Sequence, residues 1–300
     1  MSADRPKGSF SVEGHAFEAP PLAPGLYLVA TPIGHLGDIS LRALATLAAA
    51  DVVACEDTRI TTRLLRRYAI DAPLVAYHEH NAARQRPKLL AALAEGKRVA
   101  LVSDAGTPLV SDPGYRLVRE VLAAGHAVYP IPGPSALLAA LVVSGLPTDS
   151  FFFAGFLPPK SAARKKRLAA LAAVPGTLVF YESPHRTAVA LAEMAETLGP
   201  GRKAAVAREL TKIHETVRRG TLGELAAAFA EEQEPKGEIV ILLAPPEEAG
   251  PDRAGIDESL AAMLESMSAS EAAATLAART GLPRRDLYRR VLALRRARED

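Results

Sequence analysis

The 300-residue sequence has a single cysteine, Cys55, and no tryptophan. One cysteine excludes an internal disulfide and a zinc site built from several cysteines, which fits a cytosolic protein. Aromatic residues make up only 5% of the chain, which argues against a surface that stacks single-stranded bases. The formal net charge is only +2, so an argument for nucleic-acid binding must rest on local clusters.

Long apolar runs are missing as well. Charged residues, proline or glycine interrupt every hydrophobic stretch before it reaches the roughly 20 residues of a membrane helix, so we expect no membrane partner. Residues 1–24 contain no apolar signal core, and their proline, glycine and serine content predicts a disordered lead-in to a cytoplasmic protein.

From residue 25 the chain alternates short apolar runs with segments of helical periodicity. The runs at 26–30, 51–55 and 99–102 are typical of buried strands. This alternation predicts an α/β domain over 25–132, with a mostly parallel sheet and right-handed crossovers.

The stretch 98–114 contains the strongest local signal for a ligand site. Its apolar run ends in a loop with Gly106 and Pro108, and we expect a helix capped near Ser111 and Asp112. The loop would then lie at the carboxyl end of a strand, where α/β sheets bind ligands.

The second half predicts a different sheet followed by a helical tail. Apolar runs over 133–246 lack helix-length spacers between some members, which favours a mixed sheet. Residues 254–300 form the tail, in which Ser268 and Glu271 match a capping box and Gly281 ends a helix. The last helix is rich in arginine and resembles the second helix of a helix-turn-helix. We expect RNA contacts from Arg284, Arg285, Arg289 and Arg290, and the alternative is a polar helix packed against a dimer partner.

Five loops taken together resemble one known family. They are 31–38 (TPIGHLGD), 55–59 (CEDTR), 103–108 (SDAGTP), 132–135 (PGPS) and 181–185 (YESPH). In this order they resemble the loops of the tetrapyrrole-methylase-like, S-adenosylmethionine-dependent methyltransferases. They are most similar to the ribosomal RNA small subunit methyltransferase I group, which methylates a ribose 2′-oxygen of a 16S rRNA cytidine.

The resemblance implies two α/β domains, 25–132 and 133–246, that hold S-adenosylmethionine in a cleft between them, and a homodimer. The chain has no G-x-G-x-x-G motif between a strand and a helix, so the usual dinucleotide fingerprint is not expected. Carried over by position, the cofactor contacts are expected from Pro32, Gly34, Gly37, Asp104, Ala105, Gly106, Thr107, Ser135, Ala136, Ala154, Gly155 and Gly237.

A ribose hydroxyl loses its proton during such a methyl transfer, so a general base would help. Candidates are Glu182 and His185 in one loop, Glu209 and Lys212 in another, and Glu56 and Asp57 in the first domain. Each also has a structural interpretation: Glu209 with Lys212 as an ion pair that braces a loop, and His185 as a residue of a first helical turn. The sequence does not choose among them.

Two further patterns bear on metal binding and on RNA binding. His78 and His80 alternate with a glutamate, but no additional histidine or cysteine cluster completes a metal site, so we expect no metal. A second basic cluster is a candidate for RNA phosphates, with a plain solvated helix face as the alternative; it comprises Lys160, Arg164, Lys165, Lys166 and Arg167.

The leading hypothesis is therefore a methyltransferase whose partner is 16S rRNA, presented in the assembled small ribosomal subunit. A methyltransferase for a small tetrapyrrole is the first alternative, because the same core serves that chemistry. An RNA-binding assembly factor with a relic cofactor site is the second.

Overall fold

The computed structural model describes residues 8–232, 236–246 and 253–299, with the side chains of 253, 254 and 296–299 excepted. The chain divides into two compact units, Met1–Pro245 and Pro246–Asp300. No helix of the described residues is long and apolar enough to cross a membrane.

The first sheet of the large unit is wholly parallel, and its strand order is β5-β4-β6-β3-β7. Its strands are β3 (Gly25–Val29), β4 (Val52–Cys55), β5 (Leu74–Ala76), β6 (Arg98–Val102) and β7 (Val128–Ile131). Its helices are α1 (Leu41–Ala49), α2 (Thr58–Arg67), α3 (Ala82–Ala94) and α4 (Tyr115–Ala123). In β6, Val99 and Leu101 contribute to one hydrophobic core, and Ala100 and Val102 to another. This strand is therefore buried on both faces, as its unbroken apolar run predicts.

The second sheet is mixed, as predicted, with the order β11-β10-β12-β9-β8. β8 and β9 are parallel, and the other neighbours are antiparallel. Its strands are β8 (Phe151–Phe156), β9 (Thr177–Glu182), β10 (Lys203–Arg208), β11 (Thr216–Thr221) and β12 (Ile239–Leu243). Its helices are α5 (Ala136–Val143), α6 (Ser161–Leu171), α7 (Thr187–Leu198) and α8 (Leu222–Glu231).

The disordered lead-in predicted for residues 1–24 is wrong over the part that is described. A hairpin forms there, from β1 (Ser9–Val12) and β2 (His15–Glu18). Phe10 is buried in the first core, and the Ser11 amide donates to the Tyr68 carbonyl oxygen at 2.7 Å. These contacts hold a polar segment in place, whereas residues 1–7 lie outside the described residues.

The small unit consists of three helices, α9 (Arg253–Met263), α10 (Ala269–Thr280) and α11 (Arg284–Glu299). The predicted capping box of Ser268 and Glu271 is present at the start of α10, and Gly281 ends that helix with a φ of +72°. Leu287 and Val291 of α11 are buried against α9 and α10.

Candidate active site

Two loops at the carboxyl edge of the first sheet are joined by hydrogen bonds. Thr31 and Gly106 exchange two backbone bonds, with N–O distances of 2.9 and 3.0 Å. The Thr31 hydroxyl also donates to the Ser103 carbonyl oxygen at 3.1 Å. The loops follow β3 and β6, neighbouring strands whose crossovers lead to opposite sides of the sheet. This is the switch point at which open α/β sheets bind ligands.

The loop after β6 has a strained backbone. Gly106 has a φ of +83°, and Leu109 and Ser111 have φ values of +72° and +63°. Such values cost about 1–3 kcal/mol for a residue with a side chain, and they cluster at ligand sites. A left-handed Ser111 cannot begin the predicted helix, so α4 begins four residues later, at Tyr115.

A cleft of about 400 Å³ opens beside this loop, which is within the usual size range of cofactor pockets. Phe156, Tyr181 and Val240 from the second sheet also line it. Seven of the predicted cofactor residues lie together on its wall: Asp104, Ala105, Gly106, Thr107, Ser135, Ala136 and Gly237.

The other five predicted cofactor residues do not line this cleft. Pro32 and Gly34 line a second cavity, of about 310 Å³, and Gly34 and Gly37 line a groove of about 680 Å³. Ala154 packs against the core of the second sheet. Gly155 has a φ of +67°, and a Cβ built on it would lie 3.6 Å from the Ser111 hydroxyl oxygen.

Asp112 lines the cleft, although its sequence context predicts only a helix cap. Burial raises its pKa from 3.8 to about 6, and the nearby charges of Glu56 and Asp104 act in the same direction. Burial also raises the pKa of Glu56 and of Asp104. The three carboxyl groups lie near enough for their charges to interact, and burial makes each of them bind a proton more tightly than in water. No sequence signal marks Asp112, because its position on the cleft wall depends on the strained backbone of the loop.

The two candidates in the 181–185 loop differ in position. Glu182 lines the cleft, but its side chain is wholly buried and accepts hydrogen bonds from Ser183 N at 2.8 Å and Arg186 Nη2 at 3.3 Å. His185 is exposed in a single 3₁₀ turn, Pro184–Arg186, and is not part of the cleft wall.

Glu209 and Lys212 form the ion pair that the structural interpretation described. Lys212 Nζ lies 2.7 Å from Glu209 Oε1 and 3.1 Å from Glu238 Oε2. Burial favours the neutral form of Glu209, but the hydrogen bonds from Lys212 and the Glu238 amide outweigh it and lower the pKa of Glu209. Glu209 and Thr211 have φ values of +51° and +64°, so this loop is strained as well. Both members of the pair line the 680 Å³ groove rather than the cleft.

The basic cluster at 160–167 is only partly a free surface. Arg164 is 4% exposed and lies 2.5 Å from Glu193, so its assignment to RNA is wrong: it is a buried structural cation. Lys165 pairs with Glu196 at 2.7 Å. The remaining three residues of the cluster are exposed: Lys160, Lys166 and Arg167.

The predicted arginines of the tail also divide into two groups. Arg290 makes two hydrogen bonds with the carboxylate of Asp257, at 2.5 and 2.7 Å, so it joins α11 to α9. Arg284, Arg285 and Arg289 are exposed, and Arg284 donates to the Ser270 hydroxyl oxygen at 2.8 Å.

The His78 and His80 rings lie 6.0 Å apart. Within the described ranges, no three His, Cys, Asp or Glu side chains come together as a possible metal site.

Two family models match the chain. The model of the Tetrapyrrole (Corrin/Porphyrin) Methylases matches residues 25–226, and the model of the RsmI C-terminal HTH domain matches residues 250–295.

The sequence is also similar to curated proteins along most of its length. It is 58% identical over 277 residues to a "Ribosomal RNA small subunit methyltransferase I" of Mesorhizobium japonicum. The aligned region covers 92% of this chain and 94% of that protein. A protein of the same name from Xylella fastidiosa is 50% identical over 267 residues, or 88% of this chain and 97% of that protein.

Solved structures share the fold at low identity. A cobalt precorrin-4 methyltransferase superposes with a TM-score of 0.57 at 19% identity and covers 73% of this chain and 94% of its own. A uroporphyrin-III C-methyltransferase of Thermus thermophilus, solved with S-adenosylhomocysteine, gives a TM-score of 0.51 at 24% identity, with 73% and 96% coverage.

Proposed function

Because this chain belongs to the ribosomal RNA small subunit methyltransferase I group of the tetrapyrrole methylase family, we propose that it methylates 16S rRNA. The proposed product is a 2′-O-methylated cytidine in the decoding region, formed on the assembled small subunit in the cytoplasm. The observation that carries this proposal is the match of one chain to both family models, the methylase core and the arginine-rich tail.

S-adenosylmethionine fits the chemistry of the cleft. The carboxyl group of Asp104 suits its ammonium charge, and the Ala136 amide in the first turn of α5, on the cleft wall, suits its carboxylate. Gly106 leaves room for a close approach of the backbone. When bound, the cofactor supplies a methyl group that is already activated by the positive sulfur.

The protein's own contribution is then to align the ribose and to accept one proton. The 2′-oxygen bonds to the methyl carbon as the carbon–sulfur bond breaks, and the hydroxyl proton is lost. We assign the proton acceptor to Asp112, because it lines the cleft and its pKa of about 6 keeps it ionised at neutral pH. Glu182, which is held by Arg186, and Glu209, which is held by Lys212, are assigned to positioning.

A homodimer is part of the proposal. α5 and the edge strand β8 expose large apolar side chains, among them Leu138 at 50%, Val142 at 72% and Phe151 at 43% exposure. Single exposed apolar residues are ordinary, but several on adjacent elements are typical of an interface. We infer that a second copy covers them.

The test is transfer of labelled methyl from S-adenosylmethionine to three acceptors: purified small subunits lacking the modification, free 16S rRNA and a tetrapyrrole precursor. Digestion of the labelled RNA to nucleosides then identifies the methylated base and atom. Label on a cytidine 2′-oxygen of subunit RNA is expected. Label on the tetrapyrrole alone would transfer this chain to the small-molecule methyltransferases, and cofactor binding without turnover on any acceptor would favour the assembly factor.

A further inference from the structure

The second cavity, of about 310 Å³, lies next to the cofactor cleft. Both are lined by Ile33 from the loop after β3 and by Asp104 and Ala105 from the loop after β6, so these three residues form the wall between them. A group bound in the cavity is therefore one side chain away from a group bound in the cleft. That proximity is what a methyl acceptor needs, because the reacting atoms must come within about 3–3.5 Å.

The walls of the cavity combine apolar surface with two opposite charges. Leu36 and Ile60 are large apolar residues left 44% and 41% exposed, and Leu64 is buried behind them. Arg63 of α2 and Asp104 supply the charges. A nucleotide has the matching parts: a flat base for the apolar wall, a phosphate for the guanidinium, and hydroxyl or amino donors for the carboxylate.

Arg63 is free to take such a ligand. It is exposed, and it makes no hydrogen bond or ion pair with any described residue. The preceding arginine of the helix differs, because Arg59 is held at 2.6 Å by Asp57. One carboxyl oxygen of Asp104 accepts the Asp57 amide at 3.0 Å.

We propose that this cavity is the binding site of the target nucleotide, with Arg63 on its phosphate and the wall of Leu36 and Ile60 against its base. The inference rests on the proposed function and adds where the RNA enters, which the loop motifs do not indicate. The neighbouring 680 Å³ groove shares Gly34 and Leu36 with the cavity and is lined by Arg67, one helical turn beyond Arg63. It offers a path for the adjoining nucleotide.

The test compares two arginines of the same helix. Arg63 lines the cavity, whereas Arg66 is also exposed but lines neither the cavity nor the groove. Initial rates of methyl transfer are measured against the concentration of unmodified small subunits for the native protein, Arg63→Ala and Arg66→Ala. The dissociation constant of S-adenosylmethionine is measured by calorimetry for all three.

Arg63→Ala is expected to lower kcat/KM for subunits at least tenfold and to leave the cofactor dissociation constant within twofold. It is also expected to reduce the slope of log affinity for RNA against log salt by about 0.7, as for one lost phosphate contact. Arg66→Ala is expected to change neither kcat/KM for subunits nor the salt slope of RNA binding. If Arg63→Ala behaves like Arg66→Ala while the native protein methylates RNA, the cavity is not the nucleotide site. If the native protein methylates no RNA, the proposed function itself is wrong.

Discussion

Gly34 packs directly under the side chain of Lys212, so that a Cβ at position 34 would collide with Lys212 Cγ and would lie 2.8 Å from Thr211 Oγ1. The His35 amide donates to that same hydroxyl oxygen at 3.0 Å. The loop after β3 in the first sheet is thus clasped by the loop after β10 in the second. The close approach of the two loops leaves no room for a Cβ at position 34, which explains a glycine that does not itself line the cleft.

Gly34→Ala is therefore expected to separate the two loops. Overpacking of this kind costs about 1–3 kcal/mol, and the displaced Lys212 would release Glu209. A lower Tm and weaker cofactor binding are expected, measured by thermal unfolding and calorimetry. Gly201→Ala is the matched control, because a Cβ there meets nothing within 4 Å. Equal Tm values for the two variants would contradict a stabilising contact between the two loops.

The raised pKa of Asp112 predicts a pH profile. If Asp112 accepts the proton, kcat should fall as the pH drops through about 6, because the carboxylate becomes protonated. Asp112→Asn is expected to lose about 100-fold or more in kcat with cofactor binding retained, and to lose this acid limb. If kcat of the variant still falls as the pH drops through about 6, another group accepts the proton.

The raised pKa of Asp112 can also be tested through the pH dependence of the free energy of unfolding. A pKa raised by folding means that the folded state binds the proton more tightly between pH 3.8 and about 6, so stability is lost as the pH rises through that window. Asp112→Asn cannot ionise. Its stability relative to the native protein should therefore increase between pH 4 and pH 7 in urea unfolding, and a flat difference would contradict the burial of this carboxyl.

Sequence patterns were sufficient to predict the features that depend on residues close together in the chain. The unbroken run of β6 and the capping box of Ser268 and Glu271 are local, and both are present as predicted. The expectation that the 103–108 loop and Ser135 serve one site came from the family resemblance, and both line the cleft.

The failures come from contacts that are distant in the chain. Arg164 lies among basic residues, but its partner Glu193 is 29 positions away, and only that pairing buries it. Phe10 fixes a polar hairpin because it finds a core built by later helices. Asp112 became a cleft residue through the left-handed Ser111, which its residue type disfavours.

The burial of Arg164 has a measurable consequence. Arg164→Ala leaves the Glu193 carboxylate buried without its cation, which costs about 3–5 kcal/mol, and a fall in the urea midpoint is expected. Arg167→Ala, on the exposed face of the same helix, should change stability by less than about 0.5 kcal/mol. If the two variants unfold at the same urea concentration, Arg164 is a surface cation after all.

The dimer proposal can be tested with a pair of valines. Val142→Glu places a charge at the exposed apolar surface of α5 and is expected to halve the mass found by light scattering, from about twice 31.7 kDa. Val189→Glu on α7, where the valine is 52% exposed, is the control and should leave the mass unchanged. A native protein that is monomeric at micromolar concentration would end the proposal.

The tail predicts a difference among arginines that share one helix. Arg285 and Arg289 are exposed, so replacing either with alanine should remove one phosphate contact and reduce the salt slope of RNA binding by about 0.7. Arg290 is held by Asp257, so Arg290→Ala should instead lower the thermal stability of the small unit. The slope is measured from binding to small subunits over a series of salt concentrations, and melting of the tail from its helical circular dichroism. A slope that stays at the native value in Arg285→Ala and Arg289→Ala alike would mean that α11 does not touch RNA, because an exposed arginine that neutralises a phosphate must release a counterion.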